Sequence, residues 1–512
     1  MNVKTVQKFK ENFKHLKKTL KVSKKKFRNV TNYRFIYLAL ISASLVIRVI
    51  DLNYNSPSAD EAVYVVVGKL GIFQRDWWSY NASAWMGGSP YFYPTLTSIA
   101  YQTGQILGSR LLNVIFGVLS VELVLKITTD LATDNKKIST IAGIIGALVL
   151  CASASSIYLS RLATYDMPAY FFMLMSFYFL LLEKNKKAKS NGGYFFLSAI
   201  FALLSVLTKI ITLAYLPLIV FYSYNICRKP LANSKIHFSK LYFWKRYFLS
   251  TLTLGLTLYF SLNYYSLSMF YVTQVTRESV SFSEILISFI RQLLPTLALV
   301  FFAGFGFINK KFYKTGLLLL FLASVPLILH FATQRVASLD KHVYISLIFL
   351  CIATGIGFNN ILAKLAIPNK YKYGLLVITL LGYSVYSYQR SLKNNNLWIN
   401  STNLATYLKN NVKNNDLILA ENGPEVTLAI YDINFPLNTT TFDYFFYNKS
   451  EDLKEYENAV NDGYFNFIEL ENDKASESER FKVIDSGIRK IIEENYKLAY
   501  SDNNYIVYKR NF

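Results

Sequence analysis

The chain has 512 residues, of which 53% are hydrophobic, 16% aromatic and only 17% charged. That is far more apolar surface than one water-soluble core needs, which excludes an ordinary soluble domain and predicts a polytopic α-helical membrane protein. The formal net charge of +23 raises nucleic acid as a partner, but no base-stacking motif or folded basic domain accompanies it, so no nucleic-acid role is expected.

The first 34 residues carry twelve Lys and Arg, from Lys4 to Arg34. By the positive-inside rule this basic arm stays cytoplasmic, where it contacts anionic lipid. It is too long for a signal-peptide n-region and no small-residue cleavage pattern follows, so the first apolar run reads as an anchor. Apolar runs long enough to cross a bilayer start near Phe35, Leu107, Ile138, Met167, Tyr194, Ile210, Tyr247, Ile285, Thr315, Val343 and Tyr373. They predict eleven spans. The alternate connections expected inside hold Lys136-Lys137, Lys184 to Lys189, Arg228 to Arg246, Lys310-Lys311 and Lys364 to Lys372, while the others are poor in Lys and Arg. An odd number of spans puts the tail outside. Three regions follow: the arm 1–34, a transmembrane domain 35–388 with an outer loop 52–106, and an extracytoplasmic α/β domain 389–512.

The outer loop is aromatic and only weakly charged, with Trp77, Trp78, Tyr80, Trp85, Tyr91, Phe92 and Tyr93, so it lies at the membrane interface. Near its start stand Asp60 and Glu61. Ser58-Ala-Asp-Glu61 has capping-box spacing, and a helix start through Tyr64, Val67 and Leu70 accounts for the acidic pair. A cap that fixes the backbone also aims its neighbour, because adjacent side chains point about 100° apart around a helix. The turn expected before the fourth span brings Arg161 and Asp166 together. They read either as an ion pair closing the turn or as functional groups, since an ionisable residue costs about 2.5 to 3.5 kcal/mol at the bilayer centre and less near its edge.

Further cations, Lys209, Arg335 and Lys341, fall at expected outer ends of spans with Arg161, where they either snorkel or hold an anionic group. His330 and His342 flank one outer turn. They read either as ligands of a divalent metal beside Asp60 or as interfacial polar groups; no Ser/His/Asp set assembles and no nucleotide fingerprint appears, so a metal stays open but is not indicated, and no other cofactor is expected. Cys151 and Cys351 fall inside spans and Cys227 at a cytoplasmic end, so no disulfide is implied. In the tail, helices are predicted at Ser401 to Val412 and Glu479 to Glu494, and strands at Leu417 to Ala420, Phe465 to Leu470 and Tyr505 to Lys509.

The stretches "ADEAVY", "GSPYFYPTL", "GSRLLNVIFGVLSVELVLKI", "SRLATYDMP" and "LSVLTKIITLAYLPLI", with the closing "NYKLAYSDNNYIVYKR", resemble in order and sidedness the C-type membrane glycosyltransferases. The likeness is to the group of protein O-mannosyltransferases and lipid A aminoarabinose transferases. The resemblance implies that Asp60 is the catalytic base, that Glu61 beside it positions substrate, and that Asp166 is a second acid facing the same cavity. It implies donor-phosphate contacts from Arg161, Lys209, Arg335 and Lys341, and substrate contacts from Tyr64, Tyr91 and Tyr93. Where aminoarabinose transferases carry a Glu-Lys pair, this chain has Gly88-Ser89-Pro90, so no phosphate or metal contact carries over there. The implied function is an inverting transfer of a hexose or pentose from a polyprenyl-phosphate donor to a hydroxyl of a protein, lipid or cell-surface glycan on the outer face. A transporter or lipid flippase is the alternative. It predicts ionisable residues near mid-span and paired repeats of broken helices, whereas the charges here sit mainly at span ends.

Overall fold

The computed structural model describes residues 35–80, 86–132, 136–185, 193–228, 255, 279–308, 310–336, 338–366, 368–394, 397–442, 445, 447, 453–472 and 479–511. The basic arm and the span expected near Tyr247 lie outside these residues.

In a bilayer every backbone amide and carbonyl must be bonded within its own segment, so the apolar runs become helices. In chain order these are α1 (Phe35–Val49), α2 (Ala59–Gln74), α3 (Tyr93–Ala132), α4 (Lys136–Ala152), α5 (Ala154–Arg161), α6 (Asp166–Asn185), α7 (Gly193–Thr208) and α8 (Leu216–Arg228). They continue with α9 (Phe282–Gly304), α10 (Lys310–Thr333), α11 (Leu339–Lys364) and α12 (Asn369–Asn394). Among the described residues five helices are long and apolar enough to cross a membrane, or six if the bent pair formed by α4 and α5 is one span. The chain is a multi-pass membrane protein. Helix α11 is the hub: its flanks pack on α4, α9 and α10, and its side chains from Val343 to Ala353 are nearly all buried. On α9 and α10, Phe301, Phe302, Leu318 and Phe321 point outward, the pattern of a lipid-facing surface.

Two connections differ from expectation. Helix α3 begins at Tyr93, well before Leu107, and is broken inside at Gly104 and Gln105, where Gln105 has φ 52°. The amide-to-carbonyl ladder is interrupted there, which divides α3 into a short first segment and a longer second one. The turn expected between the third and fourth spans instead contains α5, set at 61° to the preceding helix with extended backbone at Ser153 between them. Arg161 therefore ends a helix and points back toward the first span.

A charge buried in α1 illustrates what the bundle tolerates. Arg48 is fully buried, and its guanidinium donates to Ser44 Oγ at 3.0 Å, Ser156 Oγ at 2.7 Å and Ser160 Oγ at 2.9 Å. Three hydroxyls replace the water that this group would otherwise need.

Beyond α12 the chain forms a separate α/β layer of α13 (Thr402–Asn411), β1 (Ile418–Ala420), α14 (Gly423–Ala429), β2 (Thr439–Thr441), α15 (Leu453–Asn461), β3 (Phe467–Glu471), α16 (Glu479–Asn495), β4 (Tyr496–Ser501) and β5 (Tyr505–Arg510). The sheet order is β2-β1-β3-β5-β4, with β2, β1 and β3 parallel and β5 antiparallel to both its neighbours. Alternation sorts the side chains: Leu419, Ile468 and Leu470 pack under α15 and α16, while Ile418, Ala420 and Phe467 pack under α13 and α14. The sequence-predicted tail helices and strands all appear with small changes of end. The additions are β2 and β4, and the two short helices α14 and α15.

Candidate active site

The site grows from the start of α2. Ser58 Oγ accepts from the Glu61 amide at 3.5 Å, and the Ser58 amide donates to Glu61 Oε2 at 3.0 Å, which completes the capping box. Glu61 is fully buried and held further by Arg110, whose Nε reaches Oε1 at 2.9 Å and whose second terminal nitrogen reaches Oε2 at 2.8 Å. The Ala163 amide adds a third donor at 2.7 Å. Arg110 in turn donates to the carbonyls of Leu52, Asn55 and Ser56. One buried ion pair thus ties α2, α3, the end of the first span and the turn before α6 together. Sequence reading missed Arg110, although the stretch that contains it was singled out.

With Glu61 turned inward, Asp60 is turned elsewhere on the helix. Its side chain is 45% exposed and its carboxylate is paired with Lys341 at the start of α11. A second such pair lies alongside: Asp166, buried at the start of α6, is bound to Lys209. Tyr170 bridges the two, because its hydroxyl lies 3.4 Å from Asp166 Oδ1 and 3.3 Å from the Lys341 carbonyl. His342, next to Lys341, is 2.9 Å from His330 through their ring nitrogens, and the other nitrogen of His330 is 2.6 Å from the Arg335 carbonyl. No group of three or more His, Cys, Asp or Glu suited to a metal ion occurs among the described residues.

Lys209 reaches Asp166 because the helix is broken beneath it. Its backbone is extended, at φ −150° and ψ 121°, between α7 and the short 3-10 turn Ile210–Tyr215. The break frees backbone groups, and the loop between α2 and α3 meets them. The Ser89 amide donates to the Leu207 carbonyl at 2.7 Å, and the Ile210 amide donates to the Gly87 carbonyl at 2.6 Å. A Cβ on Gly88 would sit 2.0 Å from the Thr208 carbonyl oxygen. Gly88-Ser89 therefore has a structural task where the resemblance offered no chemical one.

The other expected residues fall outside the paired acids and lysines. Arg161 donates to the carbonyls of Ile50 and Asp51 and lies 4.7 Å over the Tyr54 ring, so the Arg161–Asp166 pair expected from the sequence does not form. Arg335 stands at the turn after α10 with its carbonyl on His330. Tyr64 and Tyr93 are core residues in contact with each other, with ring centroids 5.5 Å apart, and burial leaves them no surface for a substrate. Tyr91 is half exposed and receives the Trp78 indole N–H at 2.6 Å. The α/β domain brings residues that the sequence did not flag. Burial and the neighbouring charges of Glu471, Asp60 and Glu61 push the Glu425 carboxyl from 4.5 up to about 8. Burial among Glu421, Glu471 and Glu425 pushes Glu469 well above its usual range.

The acid–lysine pairs thus lie at one end of a helical bundle that is followed in the chain by a small α/β domain. The sequence model described as dolichyl-phosphate-mannose-protein mannosyltransferase matches residues 78–271. The chain superposes on ArnT from Cupriavidus metallidurans in the apo state with TM-score 0.60 and 13% identity, over 92% of this chain and 97% of that one. The archaeal oligosaccharyltransferase AglB from Archaeoglobus fulgidus, in complex with an inhibitory peptide and a dolichol-phosphate, gives 0.56 and 10% over 94% and 74%. The arabinofuranosyltransferase AftD from Mycobacteria gives 0.55 and 12% over 94% and 40%. A search of curated proteins by sequence finds no match. The resemblance drawn from the sequence is borne out, and the transporter reading finds no support in these comparisons.

Proposed function

We propose that the chain is an inverting glycosyltransferase that moves a sugar from a polyprenyl-phosphate donor to an acceptor hydroxyl of a protein, lipid or glycan. In this reading eleven spans leave the basic arm inside and the α/β domain outside. The observation that carries the reading is the pair of acid–lysine couples, Asp60 with Lys341 and Asp166 with Lys209, joined through Tyr170 at one end of the bundle. The family match and the fold support the class of donor, whose prenyl chain stays in lipid while its phosphate is held at the lysines.

The chemistry follows from what each group can do. A hydroxyl is a weak nucleophile, and the half-exposed Asp60 carboxylate takes its proton as the oxygen bonds to the sugar C1. The bond from C1 to the phosphate oxygen breaks, its electron pair leaves with the phosphate, and the transition state has oxocarbenium character. The leaving group needs cations rather than an acid. Lys341 and Lys209 supply them from partly and fully buried positions, where charge-assisted hydrogen bonds are strong. Without donor, Lys341 neutralises Asp60. A donor phosphate competes for the same ammonium, so the base regains its strength when the donor is in place. Glu61 positions Asp60 through the α2 cap, rather than positioning substrate. Arg161 holds the backbone after the first span in this reading, Arg335 orients His330 through its carbonyl, and Tyr91 is the aromatic left to meet substrate.

The test is release of polyprenyl phosphate from a panel of polyprenyl-phosphate sugars in the presence of membrane extract, for the wild type and Asp60→Asn. Release by the wild type and a loss of at least roughly a hundredfold in the variant, the scale of general-base catalysis, is expected. Equal turnover by the two proteins refutes the assignment of Asp60.

A further inference from the structure

The two acid–lysine couples are not equally open. Asp60 and Lys341 keep 45% and 19% of their side chains exposed, whereas Asp166 and Lys209 keep 1% and 5%. An ammonium carries three N–H donors, and among the described residues the one hydrogen-bond acceptor of Lys209 Nζ is Asp166 Oδ1. Two donors of this nearly buried group therefore face something other than a protein acceptor.

What stands beside the ammonium is an aromatic ring. Lys209 Nζ lies 4.8 Å from the centre of the Tyr165 ring. From Leu159 to Leu174 every side chain is buried except that of Tyr165, which is half-buried. Its place is fixed from several sides. Asn113 donates to the carbonyls of Leu162 and Thr164 just before it, and the Ala169 amide donates to its own carbonyl at 3.1 Å as α6 begins. The ring packs against Tyr64 with centroids 4.7 Å apart, and the hydroxyl accepts from the Gly87 amide at 3.4 Å, in the loop that fills the break at Lys209.

The choice of a ring follows from charge. A lysine ends a flexible stem of four carbons, and Asp166 alone tethers its ammonium at a single point, about which it can turn. A second carboxylate would fix the group but neutralise it and repel any further anion. The face of an aromatic ring attracts the same ammonium through its quadrupole, most strongly where water is removed, and adds no negative charge. Asp166 and Tyr165 together hold Lys209 in one place and leave it able to bind a third partner that is anionic.

We propose that Tyr165 is a positioning residue for the donor phosphate, its ring fixing the Lys209 ammonium beside Asp166 so that the remaining N–H donors meet the phosphate oxygens. The inference rests on the glycosyltransferase reading. Tyr165 acts through Lys209 and touches neither the reacting carbon nor the acceptor, so its effect belongs to donor affinity. The hydroxyl is secondary, since the charge argument needs only the ring.

The experiment titrates polyprenyl phosphate into the purified full chain and reads Kd for the wild type, Tyr165→Phe and Tyr165→Leu. Tyr165→Phe keeps the ring and is expected to bind within about twofold of the wild type, whereas Tyr165→Leu raises Kd roughly three- to thirtyfold, the range of a desolvated cation–π contact. Phenylalanine carrying one or three ring fluorines at the same position keeps nearly the same shape while the negative ring face weakens. Along that series Kd is expected to rise stepwise, and in a Lys209→Met background it is expected to stay flat. With the donor that gives Asp60-dependent release, donor KM rises in the same order and acceptor KM is unchanged. The same Kd across the fluorinated series shows that the ring only packs and overturns the proposal, whether or not Tyr165→Leu folds; so does a wild type that binds no polyprenyl phosphate. Absence of Asp60-dependent release from every donor overturns the glycosyltransferase reading instead, and the Kd series then still decides whether Tyr165 acts on a phosphate through Lys209.

Discussion

Asp60 and Glu61 are neighbours with opposite fates, and burial decides between them. Glu61 is sealed against Arg110 with both side chains fully buried, whereas Asp60 keeps almost half its side chain open beside Lys341. Breaking a buried ion pair from one side strands the other charge and costs about 3 to 5 kcal/mol, while a half-exposed pair contributes about 1 kcal/mol or less. Glu61→Gln is therefore expected to lower the thermal unfolding temperature of the purified protein sharply, and Asp60→Asn to leave it nearly unchanged while abolishing transfer. Equal melting temperatures for the two variants would refute the division of roles. The capping box that explains the pair as a mere helix start is present, and it is also what turns Asp60 toward the lysines.

At the scale of elements, the broken helix at Lys209 and the loop that fills the break form one device. A Cβ on Gly88 would meet a backbone carbonyl at 2.0 Å, whereas one on Gly87 meets only the Tyr165 hydroxyl at 3.4 Å. Backbone cannot step aside, and forced overpacking costs about 1 to 3 kcal/mol. Gly88→Ala is expected to displace the loop from Lys209 and lower kcat/KM for the donor, with Gly87→Ala close to wild type; the reverse order of the two activities would show that the loop does not position the lysine. The device was only half legible in the sequence. Hydrophobic runs and their charged borders mark where helices lie, because the bilayer enforces that pattern. The break at Lys209 falls where the sequence divides the spans expected from Tyr194 and Ile210, but the early start of α3 and its break at Gly104 and Gln105 leave no such trace. The same holds for Arg110, whose partner lies 49 residues away. Asp60, Asp166, Lys209 and Lys341 were legible as charges at span ends. Their pairing was not, and of the two readings of Arg161 and Asp166 the ion pair is not formed, because Lys209 takes Asp166.

At the scale of the molecule, the α/β domain is fastened to the bundle along one seam. Trp398 Nε1 donates to the Ser56 carbonyl at 2.9 Å, the Ser401 amide to Ser56 Oγ at 2.9 Å, and Lys69 to Asp432 at 2.8 Å while lying 3.8 Å over the Tyr431 ring. Asp432 is 86% exposed, so water screens that ion pair and the stacking on Tyr431 matters more. The acids buried along the seam make its strength depend on pH. A carboxyl whose folded-state pKa is raised binds its proton more tightly in the folded protein, so the stability it lends is complete at low pH and is lost as pH rises. For Glu425 that loss runs from 4.5 to about 8, and Glu469 acts in the same direction. Asp76 and Asp502 are shifted the opposite way from 3.8, so their effect falls below that window and does not mask it. Glu425→Gln, which has no proton to lose, should gain in unfolding temperature relative to the wild type as pH rises from about 5 to about 8, and melt higher than the wild type at pH 8. A slope unchanged by the substitution would mean that Glu425 binds no extra proton in the folded protein across that range.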